Sequence, residues 1–410
     1  MSEERARQAE GGVPTGVELT ALDPSFRADP HPVLARLRER EPVHYDDVIK
    51  RWVLTRRDHV ERVLRDRTLA VDGRKANEGT FLRLFAAPPG GPEPSMLLLD
   101  PPAHTRLRSL VNKAFTPRAV ERLAPRIREI SDELLAAVAG QERFDLIEAL
   151  AGPLPVIVIA EMLGIAPADR GDFKRWSDLS VMEFNPLLTE EQRAVTDDAN
   201  TQIGTYFRRT IAERRANPRD DLISALIAVE EAGDRLTDGE IVTMCCLLLP
   251  AGNVTTTDLI GNGVWTLLRH PDQLRKLRDD PSLIKNAVEE ILRFESPVVQ
   301  TGRIPMEDVE IGGCPIRRGE SIVTSLAAAN RDPGGCPEPD RFDITRADVR
   351  HHSFGGGVHF CLGAPLARLE AQLAISALVQ RFPKLRLADE PLEWRAVPTF
   401  RGLAKLFVLV

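Results

Sequence analysis

Between Thr237 and Pro271 the chain carries one helical pattern too long for any small fold. Thr237 and Glu240 have the T-x-x-E spacing of a capping box, in which each side chain satisfies a backbone amide left open by the first turn. The pattern can run to about His270, just before Pro271, which is about 33 residues or ~50 Å at the rise of an α-helix. A rod of that length crosses a whole domain, so the remaining segments have to be arranged around it. Its middle holds Pro250, Ala251, Gly252 and Asn253, then Thr255, Thr256 and Thr257. Proline removes a ladder hydrogen bond, and Thr can bond back to the carbonyl one turn earlier, so a kink or local opening is expected near 246 to 256. A merely bent core helix would carry the same residues.

The segments on either side are mostly helical too. From 101 to 296 nearly every stretch has helical periodicity, with boundaries at Pro117, Pro153, Pro167, Pro186, Pro218 and Pro271. Strand-like runs are few: Val43 to Tyr45, Trp52 to Thr55, and pieces within 308 to 325 and 384 to 410. The regular strand and helix alternation of a doubly wound sheet is absent, so the fold class is mostly α with a minor β portion in one large domain. Residues 1 to 20 are expected to be disordered and 21 to 410 to form that domain. A loop rich in proline and glycine at 76 to 97 is a candidate for function, because binding residues collect on long loops held by a rigid scaffold.

Composition excludes several roles. Hydrophobic residues make up 43% and charged residues 28% of the 410, which suits a globular chain with a large core. The 54 Lys and Arg against 61 Asp and Glu leave a formal charge of -7, so nothing draws the chain as a whole to nucleic acid. The N-terminus MSEERARQAEGG lacks the apolar stretch of a signal peptide, and no apolar run approaches the ~20 residues of a spanning helix. A cytoplasmic protein that binds no membrane is expected. Five cysteines, with no C-x-x-C pair and no zinc-ligand spacing, read as free thiols.

One of those thiols stands apart. Residues 354 to 363 read FGGGVHFCLG and precede the amphipathic stretch APLARLEAQLAISALVQRF, which places Cys361 at the start of a helix. Amide donors and the positive end of the helix dipole favour a thiolate there. A buried cysteine that only packs is the ordinary alternative. A dinucleotide-binding loop is not, since counting G-x-G-x-x-G from Gly355 puts Phe360 where the third glycine belongs. A nucleophile with His359 as base lacks an evident orienting Asn or Asp. A fourth reading is thiolate ligation of haem iron.

The pattern F-x-x-G-x-H-x-C-x-G, met by Phe354, Gly357, His359, Cys361 and Gly363, resembles the bacterial soluble cytochrome P450 monooxygenases. The resemblance extends from about residue 20 to 410. It implies haem b held between the long central helix and the Cys361 loop and helix, with Cys361 as the iron ligand and Phe354, Gly357 and Gly363 around it. DPPAHTRLR at 100 to 108 resembles the family's haem-contacting helix, so His104 and Arg108 are expected on the propionates together with Arg303 and His359. Glu290 and Arg293 match the family's E-x-x-R pair and Arg341 of PDRF its third member, implying a buried structural triad.

On the long helix the resemblance makes Ala251, Gly252, Thr255 and Thr256 the residues that leave room for dioxygen and help to deliver protons. Val254 stands where the family carries an acid. The resemblance further implies a small apolar substrate, plausibly a secondary metabolite, that is hydroxylated or epoxidised by a monomer. Electrons would come from NAD(P)H through a ferredoxin or flavodoxin and its reductase. Substrate contacts would fall at 76 to 95, at 172 to 210 with Met182, Phe184, Leu187 and Leu188 as an apolar roof, at Leu248 to Thr255, at Val298 to Gly302, and at Val397 to Arg401. Aromatic residues are only 5%, which favours an aliphatic pocket. A peroxide-driven oxygenase, an oxidative-coupling enzyme and a haem sensor or carrier are the alternatives.

Overall fold

The computed structural model describes residues 13 to 86, 94 to 114, 116 to 185, 187 to 231 and 233 to 410. Its longest element is the helix Asp238–Arg269 of 32 residues, opened by the expected capping box between Thr237 and Glu240. The Thr237 hydroxyl accepts from the Glu240 amide at 3.2 Å while the Glu240 carboxylate accepts from the Thr237 amide at 2.8 Å. A cap of this kind stabilises a helix by about 1 kcal/mol. Helical residues continue without interruption through Pro250, so the expected opening does not break the helix. The back-bond does form, from Thr255 Oγ1 to the Ala251 carbonyl at 2.8 Å.

Prolines start neighbouring helices rather than breaking them. Pro153–Met162 and Pro271–Asp279 each begin on the proline, where the missing amide costs nothing because the first turn has no acceptor for it. The long helix is flanked by Pro153–Met162, Arg170–Ser180, Glu190–Ala216 and Ile284–Phe294, and by the cysteine helix Ala364–Arg381. Apolar residues from all of them join one core in which Leu150, Ile260, Ile291 and Ile375 are fully buried. Helix accounts for 57% of the protein and strand for 11%, the mostly α class expected.

The minor sheet lies against this helical body. Its five strands are β1 (Val43–Asp46), β2 (Arg51–Leu54), β3 (Leu69–Ala70), β4 (Gln300–Pro305) and β5 (Ile322–Ser325), in the order β1-β2-β5-β4-β3. β5 runs parallel to β2 and antiparallel to β4, which aligns Ile322 with Arg303. A small hairpin, β6 (Glu393–Trp394) with β7 (Leu403–Lys405), approaches the long helix from the C-terminal segment.

Two expectations need correction. The disorder foreseen for 1 to 20 does not extend over the described part, because Gly16–Leu19 forms a 3-10 turn. Leu19 is buried against Phe26, Leu34 and Leu37, and the Gly16 amide donates to Asp46 Oδ1 at 2.9 Å. Residues 1 to 12 lie outside the described residues, as does the middle of the 76 to 97 loop. The two ends of that loop carry the 3-10 turns Phe81–Phe85 and Met96–Leu98.

Arg341 is the second correction. Glu290 and Arg293 are fully buried and paired twice, at 2.7 and 2.8 Å, as expected. The third cation is Arg346, whose Nε meets Glu290 Oε1 at 3.0 Å with only 12% of its side chain exposed. Arg341 turns its guanidinium outward to Glu338 and Asp343 and contributes its carbonyl to Arg293 and Arg346. The chain reverses between the two arginines at Asp343, whose amide also donates to Glu290 at 3.0 Å, and that reversal aims Arg346 inward.

Candidate active site

The loop before the cysteine helix is shaped by glycine and by its own backbone. Gly357 has φ +64°, and a Cβ there would stand 2.2 Å from the Leu64 carbonyl oxygen, so no other residue fits without moving that helix end. The Cys361 amide donates to the Phe354 carbonyl at 3.0 Å and closes the loop. Cys361 then sits three residues before Ala364, where the Gly363 and Ala364 amides act on its sulfur. Burial pushes the thiol up, while those amides and the nearby Arg108 and Arg368 guanidinium groups pull it down. A metal on the sulfur would decide that balance for the thiolate, since a coordinating thiol is deprotonated outright.

Phe354 stabilises the other side of the loop. The Arg368 guanidinium lies 4.5 Å over its ring, and Arg368 is held by Glu289 at 2.6 and 2.8 Å. Glu289 also meets His351 Nε2 at 3.1 Å. Against the upward push of burial, His351 and Arg368 bring the Glu289 carboxyl down to about 2. At Gly363 a Cβ would point into open space.

Four basic groups converge beside this loop from three separate parts of the chain. His104 and Arg108 are four apart on the helix Ala103–Ala114, Arg303 comes from β4, and His359 from the loop itself. The rings of His104 and His359 lie 4.2 Å apart, and Arg108 donates to the Phe360 carbonyl at 2.9 Å. Burial pushes the Arg303 guanidinium down to about 10. Burial, with His104 and Arg303 close by, pushes the His359 imidazole down to about 3.

Among the described residues no carboxylate is ion-paired with Arg303 or Arg108. Arg303 is 4% exposed, and among the described residues its guanidinium donates to the Gly302 carbonyl at 2.7 Å and Thr301 Oγ1 at 3.4 Å. His104 is 2% exposed and its Nδ1 has no hydrogen-bond partner. Asp100, whose charge acts on Arg303 and His359, is itself engaged by the Val71 amide and Lys75. A buried basic cluster short of anions fits a ligand with carboxylates of its own, because leaving a buried charge uncompensated costs far more than pairing it. The residues present therefore fit a haem, with Cys361 for the iron and this cluster for the propionates.

The four long-helix residues singled out divide into two faces. Ala251 is exposed and Thr255 half-buried, one turn apart on the same face. A Cβ on Gly252 would make ordinary contact with Ile159 at 3.5 Å, so the helix Pro153–Met162 would tolerate a small side chain here, and the buried Thr256 shares this face. Val254 is buried in a cluster with Val181 and Val397, lined further by Met182, Phe184 and Phe400. Three of the expected substrate-contact regions thus meet at one place. Leu187 does not join them and is 53% exposed.

Sequence reasoning missed Arg346 and the strand character of Gln300–Pro305. Neither leaves a local signal, since one depends on how a loop reverses and the other on pairing with residues 69 to 70 and 322 to 325. No group of three or more His, Cys, Asp or Glu able to hold a metal occurs among the described residues, and no helix there is long and apolar enough to cross a membrane.

Comparison with known proteins agrees with this geometry. The family model Cytochrome P450 matches residues 173 to 391. Cytochrome P450 107B1 of Saccharopolyspora erythraea is 45% identical over 400 residues, covering 95% of this chain and 97% of that protein. Cytochrome P450 monooxygenase PikC of Streptomyces venezuelae is 42% identical, covering 98% and 96%. The solved structure of the cytochrome P450 PksS of the Bacillus subtilis bacillaene polyketide synthase is 39% identical, with a TM-score of 0.87 over 95% of this chain and 98% of that one. Identity at this level over nearly the full length of both chains, on the same fold and with the cysteine loop intact, shows that the chain belongs to the cytochrome P450 family and is an oxidoreductase of the monooxygenase type.

Proposed function

We propose that the protein binds haem b through Cys361 and inserts one oxygen atom of dioxygen into a small apolar metabolite, by hydroxylation or epoxidation. The observation that carries this reading is the pairing of a cysteine at a helix start with four basic groups that lack carboxylate partners. Bound there, the haem supplies the activation of dioxygen at its iron. Cys361 donates electron density from the loop side, while His104, Arg108, Arg303 and His359 hold and orient the carboxylates. Thr255 spends its hydroxyl proton on the Ala251 carbonyl, which leaves its oxygen lone pairs to accept from a donor in the site.

The substrate class follows from the apolar cluster around Val254. Val181, Met182, Phe184, Val254, Val397 and Phe400 bring no charged group to their cluster, so they exclude water and favour an aliphatic or polycyclic skeleton. The similarity to PksS, named for a polyketide synthase, supports a polyketide-like substrate. Electrons would be supplied from NAD(P)H by a separate ferredoxin or flavodoxin with its reductase.

The test begins with carbon monoxide on the reduced protein, which should give the red-shifted Soret band of thiolate ligation. A panel of macrolactones, terpenoids and fatty acids is then added to the oxidised protein. A low- to high-spin change with the macrolactones or terpenoids is the expected result, because substrate displaces water from the iron. A thiolate band with no response to any apolar compound would overturn the substrate reading. The apolar character of Val254 favours a second reading, a peroxide-driven oxygenase, and product formed with hydrogen peroxide alone at the rate of the full electron-transfer system would select it.

A further inference from the structure

Asp258 lies four residues beyond Val254, on the same face of the long helix, and is buried to 1% exposure. One of its carboxylate oxygens accepts from Arg395, the residue that follows β6. The other, Oδ2, is buried with no partner. Another turn along, Asn262 is fully buried; its Nδ2 donates to the Arg401 carbonyl at 2.9 Å, and its Oδ1 also has no partner. Two orphaned acceptors on neighbouring turns make a polar site where a buried water bonded to both is expected.

The site has been given room. A Cβ at Gly402 would collide with the Asp258 carboxylate, so only glycine lets β7 pass over it. The Arg395 amide donates to the Gly402 carbonyl at 2.9 Å and fixes the two strands around that carboxylate. Toward solvent, Arg395 also feels Asp178, which is 45% exposed and paired with Lys174 at 2.7 Å. The ion pair with Arg395 therefore links a buried acid to a charged patch at the surface. Toward the site, Thr255 stands three residues before Asp258, with oxygen lone pairs free to accept.

We propose that Asp258 is the proton-relay carboxylate of this protein, placed one helical turn beyond the position that Val254 occupies. The proposal rests on the monooxygenase reading above. Insertion of one oxygen atom consumes a substrate, one dioxygen, two electrons and two protons, and yields the oxidised product and one water. In each relay step the Asp258 carboxylate takes a proton from solvent and gives one to the water it shares with Asn262, which passes one on toward Thr255, so that Asp258 returns to the carboxylate paired with Arg395. Arg395 stays charged throughout and acts by holding the carboxyl in place.

The haem-loaded protein tests this, with an excess of reduced ferredoxin as electron source and dioxygen consumption as the measured rate. A thiolate Soret band in the wild type is required first, and its failure would sink the monooxygenase reading rather than this one. Asp258→Asn should lower the rate about 100-fold, the lower end of general-acid contributions, and should enlarge the solvent isotope effect. Val254→Asp added to Asp258→Asn should restore most of the rate. A high-resolution crystal structure of the haem-loaded protein should show a water bonded to both Asp258 Oδ2 and Asn262 Oδ1.

A lower melting temperature in Asp258→Asn with rate and isotope effect unchanged would make the carboxylate a structural partner of Arg395 and overturn the proposal. So would the absence of that water. Should Asp258→Asn not fold, Asn262→Leu decides, because it removes the water's second partner and leaves the ion pair. A wild-type isotope effect in Asn262→Leu would then refute the relay.

Discussion

Replacing the three arginines around Glu290 one at a time should give three well-separated losses of stability. Arg341 carries 56% of its side chain in solvent and pairs with Glu338 at 3.1 Å and Asp343 at 3.5 Å, both of which can rehydrate. Arg341→Ala should therefore cost no more than about 1 kcal/mol. Arg346→Ala removes one bond to Glu290 and three to the carbonyls of Pro337, Glu338 and Arg341. Glu290 Oε1 keeps Arg293 Nη2 at 2.8 Å and the Asp343 amide at 3.0 Å, so the charge is thinned but not abandoned. A hydrogen bond to a charged group contributes about 1.5 to 3 kcal/mol, and the loss should fall in that range because the freed carbonyls are near solvent.

Arg293→Ala should be the most damaging of the three. It strips both bidentate bonds from a fully buried carboxylate and leaves the carbonyls of Asn330 and Pro339 without their donor. Breaking a buried pair from one side costs about 3 to 5 kcal/mol, against a typical total of about 5 to 15 kcal/mol. Urea titration of each variant, followed by the Soret band and by far-ultraviolet circular dichroism, measures the order. The reasoning is refuted if Arg341→Ala destabilises as much as Arg346→Ala, since that would put Arg341 in the buried network.

Cys361→Ala should abolish the red-shifted Soret band of the reduced carbon monoxide complex, and its survival would remove Cys361 from the iron. If Arg303 holds the propionates as proposed, Arg303→Ala should speed haem transfer to apomyoglobin several-fold while leaving the product pattern of a retained substrate unchanged. Thr255→Ala should raise the fraction of NAD(P)H consumed that appears as hydrogen peroxide, and unchanged coupling would take the hydroxyl out of proton delivery. The pH dependence has a definite sign. Burial and Arg57 push His352 down to about 4, and burial and His104 push His359 down to about 3, so the native state keeps both neutral where the unfolded chain takes a proton near 6.5. Their contribution is full above pH 6.5 and lost as pH falls toward 4, which urea midpoints of the apoprotein across that range will show. Haem carboxylates beside His359 should reduce its share of the loss in the loaded protein.

What could be read from the residues in order was whatever local physics settles. The capping box at Thr237 and the stop at Pro271 bound the long helix because each acts within one turn, and the structure places both ends there. The cysteine loop was legible for a similar reason: a run of glycines, a single thiol and a following amphipathic helix lie within a few residues of one another. The expectations that failed depend on distance in the chain. Arg341 and Arg346 are both plausible partners for Glu290 from sequence, and only the reversal at Asp343 decides that one faces inward and the other faces solvent.

Leu19 looked like part of a loose terminus until packing on Phe26 and Leu37 gave it a place to be buried. Asp258 is the sharpest case. Its spacing from Thr255 says nothing about its partner, which is supplied by Arg395, 137 residues away. Helix starts and tight turns are local events governed by hydrogen bonds a few residues long. The choice of which charged group is buried, and which oxygen is left without a donor, is made by segments that meet only once the chain has folded.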